Sequence, residues 1–127
     1  MHKKKILIVD DEYDITEFLS YNFKKREFEV RVAMNGIEAQ QILLTWLPDI
    51  IITDILMPEQ NGIGLCHDLK NNILTKNIPV VFLSASSDEY HALAAMDAGG
   101  VHYISKPVRL EILFKMVEEV LIDAQKG

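Results

Sequence analysis

The chain has 127 residues, 49% hydrophobic and 25% charged, the size and balance of one globular domain that needs no disulfide or metal staple for stability. Its formal net charge of −6 argues against nucleic acid as a direct partner, because that affinity rests on Lys and Arg neutralising phosphates. The lone Cys66 excludes an internal disulfide and suits a reducing cytoplasm; no stretch approaches the ~20 apolar residues of a membrane span.

The four apolar residues after Lys3-Lys4-Lys5 are too few for a signal-peptide core. No repeat or Pro/Gly/Ser-rich linker divides the chain, so residues 1–127 read as a single domain. The first strand runs from Lys5 to Val9 and ends at Asp10-Asp11-Glu12. A helix follows from about Tyr13 to Lys25, with Ile15, Phe18, Leu19 and Phe23 at helical spacing on one face. Phe28 to Ala33 alternates apolar with polar, as a half-buried edge strand does. Asn35-Gly36 turns into a second helix with Ala39, Ile42, Leu43 and Trp46 as its apolar stripe, ended by Leu47-Pro48.

Asp49 to Thr53 is the third strand. Its unbroken Ile-rich run, punctuated at both ends, reads as a strand buried on both faces at the centre of a parallel sheet. It delivers Asp54 to the carboxyl edge, where open α/β sheets bind ligands. A third helix spans about Asn61 or Gly62 to Asn71, with Leu65, Cys66 and Leu69 inward and Gly64 as a poor helix former. Cys66 reads as core rather than nucleophile. Ile78 to Leu83 is the fourth strand and leads to Ser84. Asp88 to Ala98 reads as a helix capped by Ser87 or Asp88 and stopped by Gly99-Gly100. Its apolar face is thin and rests on Tyr90, Leu93, Ala94 and Met96. Val101 to Ser105 is the fifth strand, Lys106-Pro107 follows, and Leu110, Leu113, Phe114, Val117 and Leu121 mark the last helix.

Five strands alternating with five helices wind with right-handed crossovers. The flavodoxin-like order 2-1-3-4-5 lets helices cover both faces of a doubly wound α/β sheet, and its direction reverses between strands one and three. Both of those strands end in acidic residues. Asp10, Asp11 and Asp54 then crowd together and require a cation. Hard oxygen ligands with room for water suit Mg²⁺ or Mn²⁺. Ser84 and Lys106 come from the ends of strands four and five. Three acids, a hydroxyl and an ammonium make a phosphoryl-transfer set, in which a carboxylate can act as nucleophile. His2, His67, His91 and His102 show no metal-ligand spacing and read as surface polar residues; Trp46 reads as packing under the second crossover.

In Ile6-Leu7-Ile8-Val9-Asp10-Asp11-Glu12, Asp54-Ile55-Leu56-Met57-Pro58, Ser84-Ala85 and Lys106-Pro107, over nearly its whole length, the chain resembles the receiver domain of bacterial two-component response regulators. The resemblance implies that Asp54 is the phosphoacceptor and Asp11 a direct metal ligand. It implies that Asp10 acts largely through metal-bound water and that the Leu56 backbone carbonyl is a further ligand. Ser84 is then the hydroxyl that bonds the phosphoryl group, Lys106 the lysine that pairs with it, and Tyr103 the aromatic switch residue. The Lys106-Pro107 peptide is expected to be cis. The implied partners are a sensor histidine kinase or phosphotransfer domain as phosphodonor, and an output domain or protein. The latter would be addressed through the face made by helix four, strand five and helix five. The domain would catalyse only its own phosphorylation and dephosphorylation.

Leu56 and Ser86 offer little help in orienting a hydrolytic water, which predicts slow dephosphorylation without a phosphatase. Gly100-Val101-His102-Tyr103 lacks the acidic pair common in winged-helix regulators, so their form of dimerisation is not expected, while some other phosphorylation-dependent dimer stays open. A Mg-dependent phosphatase of the haloacid dehalogenase type would need a second acid two residues after the nucleophile, where Leu56 stands. A flavodoxin-like cofactor binder would need a phosphate-cradling first loop, where Asp10-Asp11-Glu12 would repel phosphate. A pseudo-receiver acting by binding alone is disfavoured by the complete set.

Overall fold

A computed structural model of the chain describes residues 3–85 and 89–126. The elements in order are β1 (Lys5–Val9), α1 (Tyr13–Lys25), β2 (Glu29–Ala33), α2 (Gly36–Leu43), β3 (Ile50–Thr53), α3 (Gly62–Lys70), β4 (Val80–Ser84), α4 (Glu89–Asp97), β5 (His102–Ser105) and α5 (Leu110–Lys126). All strand pairs are parallel and the sheet order is β2-β1-β3-β4-β5, the doubly wound arrangement expected from the alternation of elements.

The strand pleat divides the core in two. Leu7, Val9, Ile51, Val80 and Phe82 face a layer with Ala39, Leu43, Trp46, Leu65, Cys66, Leu69 and Ala95 from the side of α2, α3 and α4. Their alternate neighbours Ile6, Ile8, Ile50, Ile52, Val81 and Leu83 face Leu19, Phe23, Leu113, Val117, Val120 and Leu121 from α1 and α5. Residues one apart on a strand point to opposite faces, so the apolar runs of β1, β3 and β4 serve both layers. Each fully buried Ile or Leu contributes roughly 1.5–3 kcal/mol relative to exposure.

Local chemistry sets the helix starts. Asn35 Oδ1 accepts from Glu38 N at 2.9 Å while Glu38 Oε1 accepts from Met34 N at 3.2 Å, a reciprocal cap at the entrance to α2. Asn61 Oδ1 accepts from Gly64 N at 2.8 Å and opens α3. α2 ends at Leu43, short of the expected stop at Leu47-Pro48, so Trp46 lies beyond the helix rather than on its stripe; it is still buried, with its indole N–H donating to Glu29 Oε2 at 2.9 Å.

β2, β3 and β5 each start one residue later than read from sequence, and three further details depart from that reading. Phe18 is exposed, leaving Leu19 and Phe23 to anchor α1. The fourth strand starts two residues later, at Val80, because Ile78 N bonds Thr75 O in the preceding turn. On α4 the inward residue is Ala95, and Tyr90, Leu93 and Met96 face outward. Gly100 passes so close to Phe82 that a Cβ there would stand 2.6 Å from the ring. The same Cβ would stand 3.0 Å from the Ala95 carbonyl, and Ala95 shares the buried layer with Phe82, so helix end, ring and Gly100 meet closely there. Gly99, at φ +110°, ends the helix in the conformation glycine tolerates best. The expected Ser87 or Asp88 cap lies outside the described residues.

Candidate functional site

The β-ladder continues one residue past β1 and β3. Asp10 N bonds Ala33 O at 3.0 Å and Asp54 N bonds Val9 O at 2.8 Å. With Val9 opposite Thr53 in register, Asp10 and Asp54 emerge side by side at the carboxyl edge. One oxygen of each is held locally: Asp54 Oδ1 accepts from Ile55 N at 2.7 Å, and Asp10 Oδ1 from Glu12 N at 2.9 Å.

The start of α3 fixes the loop after Asp54 from below. Gly62 N bonds Ile55 O at 2.9 Å, and Thr53 Oγ1 donates to the Asp54 carbonyl at 2.9 Å. A Cβ on Gly62 would stand 1.9 Å from that carbonyl oxygen. Only glycine permits this approach of helix to strand end.

Lys106 enters from β5. Its backbone N bonds Ser84 O at 2.8 Å, and the Lys106–Pro107 peptide is cis, as expected from the resemblance. Its ammonium lies 2.8 Å from Glu12 Oε1, 2.9 Å from Asp10 Oδ2 and 3.4 Å from Asp54 Oδ2. The side chains of Asp10, Asp54 and Lys106 are only 3%, 8% and 9% exposed, whereas that of Glu12 is 56% exposed.

Burial pushes the Asp10 carboxyl above the ordinary carboxylate range; the Glu12 N–H and the Lys106 ammonium offset part of that, and the nearby Asp54 charge adds to it. Burial alone would lower the Lys106 ammonium, but its bonds to Glu12 and Asp10 and the charges of Asp10 and Asp54 outweigh it, so Lys106 is held above the usual lysine range. It is therefore a permanent cation at neutral pH.

Of the residues singled out from sequence, the fold brings Asp10, Asp54 and Lys106 into contact. Ser84 is buried one strand away at the end of β4, paired in register with Ser105. Tyr103 is half-buried, opposite Phe82 in register, and packs against the layer under α2, α3 and α4. Leu56 is 58% exposed beside the site. Asp11 is exposed and stands outside the group in contact with Lys106. Glu12 takes that place, and sequence spacing did not single it out from its acidic neighbours. No signal in residue type separates it from Asp11.

Carboxylate oxygens of Asp10, Glu12 and Asp54 lie within 4.8 Å of one another. Three carboxylates against one ammonium leave two negative charges unbalanced when all are ionised. Hard oxygen donors with that residual charge fit a small divalent cation such as Mg²⁺ or Mn²⁺.

Among the described residues, no helix is long and apolar enough to cross a membrane. Residues 6–118 match the family model of the response regulator receiver domain. The chain is 35% identical over 104 residues to the alkaline phosphatase synthesis transcriptional regulatory protein PhoP of Bacillus subtilis, covering 82% of this chain and 42% of that protein. It is 30% identical over 117 residues to the DNA-binding dual master transcriptional regulator RpaA of Synechocystis, covering 92% of this chain and 48% of that protein. The chain thus spans less than half the length of these two relatives. Among solved structures, it superimposes with a TM-score of 0.90 on the signal receiver domain of a signal transduction histidine kinase from Syntrophus aciditrophicus, at 31% identity, covering 98% of this chain and 94% of that one. With the sheet order, the acidic strand ends and the buried lysine already in place, these matches establish that the chain belongs to the response regulator receiver domain family.

Proposed function

We propose that this receiver domain, spanning residues 1–127, accepts a phosphoryl group onto Asp54 from a phosphohistidine of a sensor kinase or phosphotransfer domain. The observation that carries the reading is the buried Asp54 carboxylate at a central strand end with the Lys106 ammonium 3.4 Å away. A carboxylate oxygen of Asp54 attacks phosphorus, the P–N bond to the donor imidazole breaks, and the imidazole leaves with the bonding pair. Lys106 is already charged and neutralises phosphoryl oxygens without a proton transfer. Asp10 and Asp54 would hold a Mg²⁺ or Mn²⁺ ion together with Asp11, which would have to turn in from its exposed position, and the Leu56 carbonyl, while the Glu12 carboxylate of the same cluster is engaged by Lys106; the ion supplies charge neutralisation when bound.

Ser84 lies next in the sheet and supplies a hydroxyl for a phosphoryl oxygen. Its movement toward Asp54 opens space for Tyr103, and the surface of α4, β5 and α5 changes its affinity for an output domain or protein. This is a population shift between two packings. The domain catalyses its own phosphorylation and dephosphorylation only, and works in the cytoplasm.

The test is incubation with acetyl phosphate and Mg²⁺, read by intact mass. The expected result is one added phosphoryl group, absent with chelator and absent in Asp54→Asn. A persistent gain in Asp54→Asn would reject the assignment.

A further inference from the structure

Glu12 is the member of the charged cluster that the proposed metal set of Asp10, Asp11, Asp54 and Leu56 leaves out, its carboxylate being engaged by Lys106 instead. Its main chain is fixed: its N–H donates to Asp10 Oδ1 at 2.9 Å, and its carbonyl accepts from Ile15 N and Thr16 N at 3.1 Å. It occupies the N-cap of α1, yet its side chain makes no capping bond there. An acceptor at this position ordinarily satisfies a free N–H of the first turn. Glu12 instead reaches across the sheet edge to Lys106 Nζ, at 2.8 Å its shortest contact with a carboxylate.

An ammonium has three N–H donors, and three carboxylates surround this one. Asp54 lies farthest, at 3.4 Å. We infer that Glu12 is a positioning residue that holds the Lys106 ammonium back from Asp54 in the unphosphorylated protein. The inference rests on the reading of Asp54 as phosphoacceptor. A phosphoryl group on Asp54 takes over the N–H now held at 3.4 Å from that side chain, and to close on its oxygens the ammonium draws away from one of the other two carboxylates. Asp10 is buried and would be left desolvated. Glu12 is 56% exposed, so water replaces the lost contact. Glu12 is therefore the partner that gives way, and its pull on Lys106 opposes phosphoryl transfer until it does.

The competing explanation is a surface charge that merely repels an anionic phosphodonor. Asp14, exposed in the first turn of α1, controls for it. Phosphorylation of Asp54 by acetyl phosphate is compared in wild type, Glu12→Gln and Asp14→Asn, with the Lys106 ammonium followed by lysine side-chain ¹⁵N NMR without phosphodonor. Glu12→Gln is expected to raise the rate of phosphoryl gain about three- to fivefold, the scale of a partly exposed ion pair, while Asp14→Asn changes it far less. The Lys106 ammonium resonance should shift in Glu12→Gln and stay in place in Asp14→Asn. Equal rates in the two variants, or an unmoved ammonium resonance in Glu12→Gln, overturn the inference. A wild type that takes up no phosphoryl group overturns the functional reading and the restraint on transfer with it. The resonance still reports separately whether Glu12 holds the ammonium.

Discussion

Replacing Gly62 by alanine places the site under a defined stress. The new Cβ would lie 1.9 Å from the Asp54 carbonyl oxygen, 2.9 Å from its carbonyl carbon and 3.1 Å from Thr53 Oγ1. Relieving the first contact alone requires the strand end and the helix start to separate by more than about 1 Å, given ordinary van der Waals distances of ~3.5 Å. Such overpacking costs about 1–3 kcal/mol. The separation also stretches the Gly62 N to Ile55 O and Thr53 Oγ1 to Asp54 O bonds, worth about 1 kcal/mol each. The better helix propensity of alanine returns less than ~1 kcal/mol. The net expectation is a loss of about 2–4 kcal/mol. Urea unfolding followed through the single Trp46 measures it as a lower midpoint at unchanged slope. Gly64→Ala is the internal control: its nearest neighbour to a new Cβ is Asn61 Oδ1 at 3.4 Å, so it should be neutral or stabilising by up to ~1 kcal/mol. The folded Gly62→Ala protein should also accept phosphate about 10–100-fold more slowly, because a displacement of ~1 Å at the reacting carboxylate is costly. A Gly62→Ala protein within ~0.5 kcal/mol of wild type would refute the claim that this contact sets the position of Asp54.

Three further expectations follow from the same coordinates. Asp10 has a carboxyl raised by burial, so the folded protein binds its proton more tightly than the unfolded chain does; its stabilising contribution is full below the unfolded value and is lost as pH rises through the folded one. Asp10→Asn in chelator should therefore raise the urea midpoint more at pH 7 than at pH 4; an equal change at both would count against a desolvated Asp10. The buried Cys66 thiol is pushed up to about 11 by burial, so an aromatic disulfide reagent at pH 8 should leave native protein unlabelled and label it quickly in urea; rapid native labelling would contradict the packed α3 layer. With Leu56 exposed and apolar beside the site, phosphorylated protein freed of donor should keep its phosphoryl group for many minutes, and a half-life of seconds would contradict the absence of help to an attacking water.

The parts most legible in the sequence were those where one residue type repeats without interruption. Ile50, Ile51 and Ile52 admit hardly any reading but a doubly buried strand, and with it the place of Asp54. On α4, Tyr90, Leu93 and Met96 look like a core stripe in sequence, whereas the residue buried against the layer of Phe82 is the small Ala95, which carries no hydrophobic signal of its own. The role of Glu12 was hidden for a different reason. Three consecutive acids have no periodicity, and which of them turns toward Lys106 depends on how the backbone bends into α1, a matter of a few dihedral angles. The strained Glu59, at φ 65° in the loop between Asp54 and α3, likewise has no signature in residue type, since glycine or asparagine would be expected there.

The pleat that shares β1, β3 and β4 between two apolar layers has a mechanical corollary. Neighbouring residues on one strand anchor opposite compartments, so helices on one side can repack while those on the other feel nothing unless the strands themselves flex. Tyr103 belongs to the compartment under α2, α3 and α4, and Leu113 and Val117 of α5 to the other. Tyr103 itself stands on β5 at the sheet's margin, so this one strand, with a neighbour on one side only, borders the first compartment through Tyr103 and the second through Ile104.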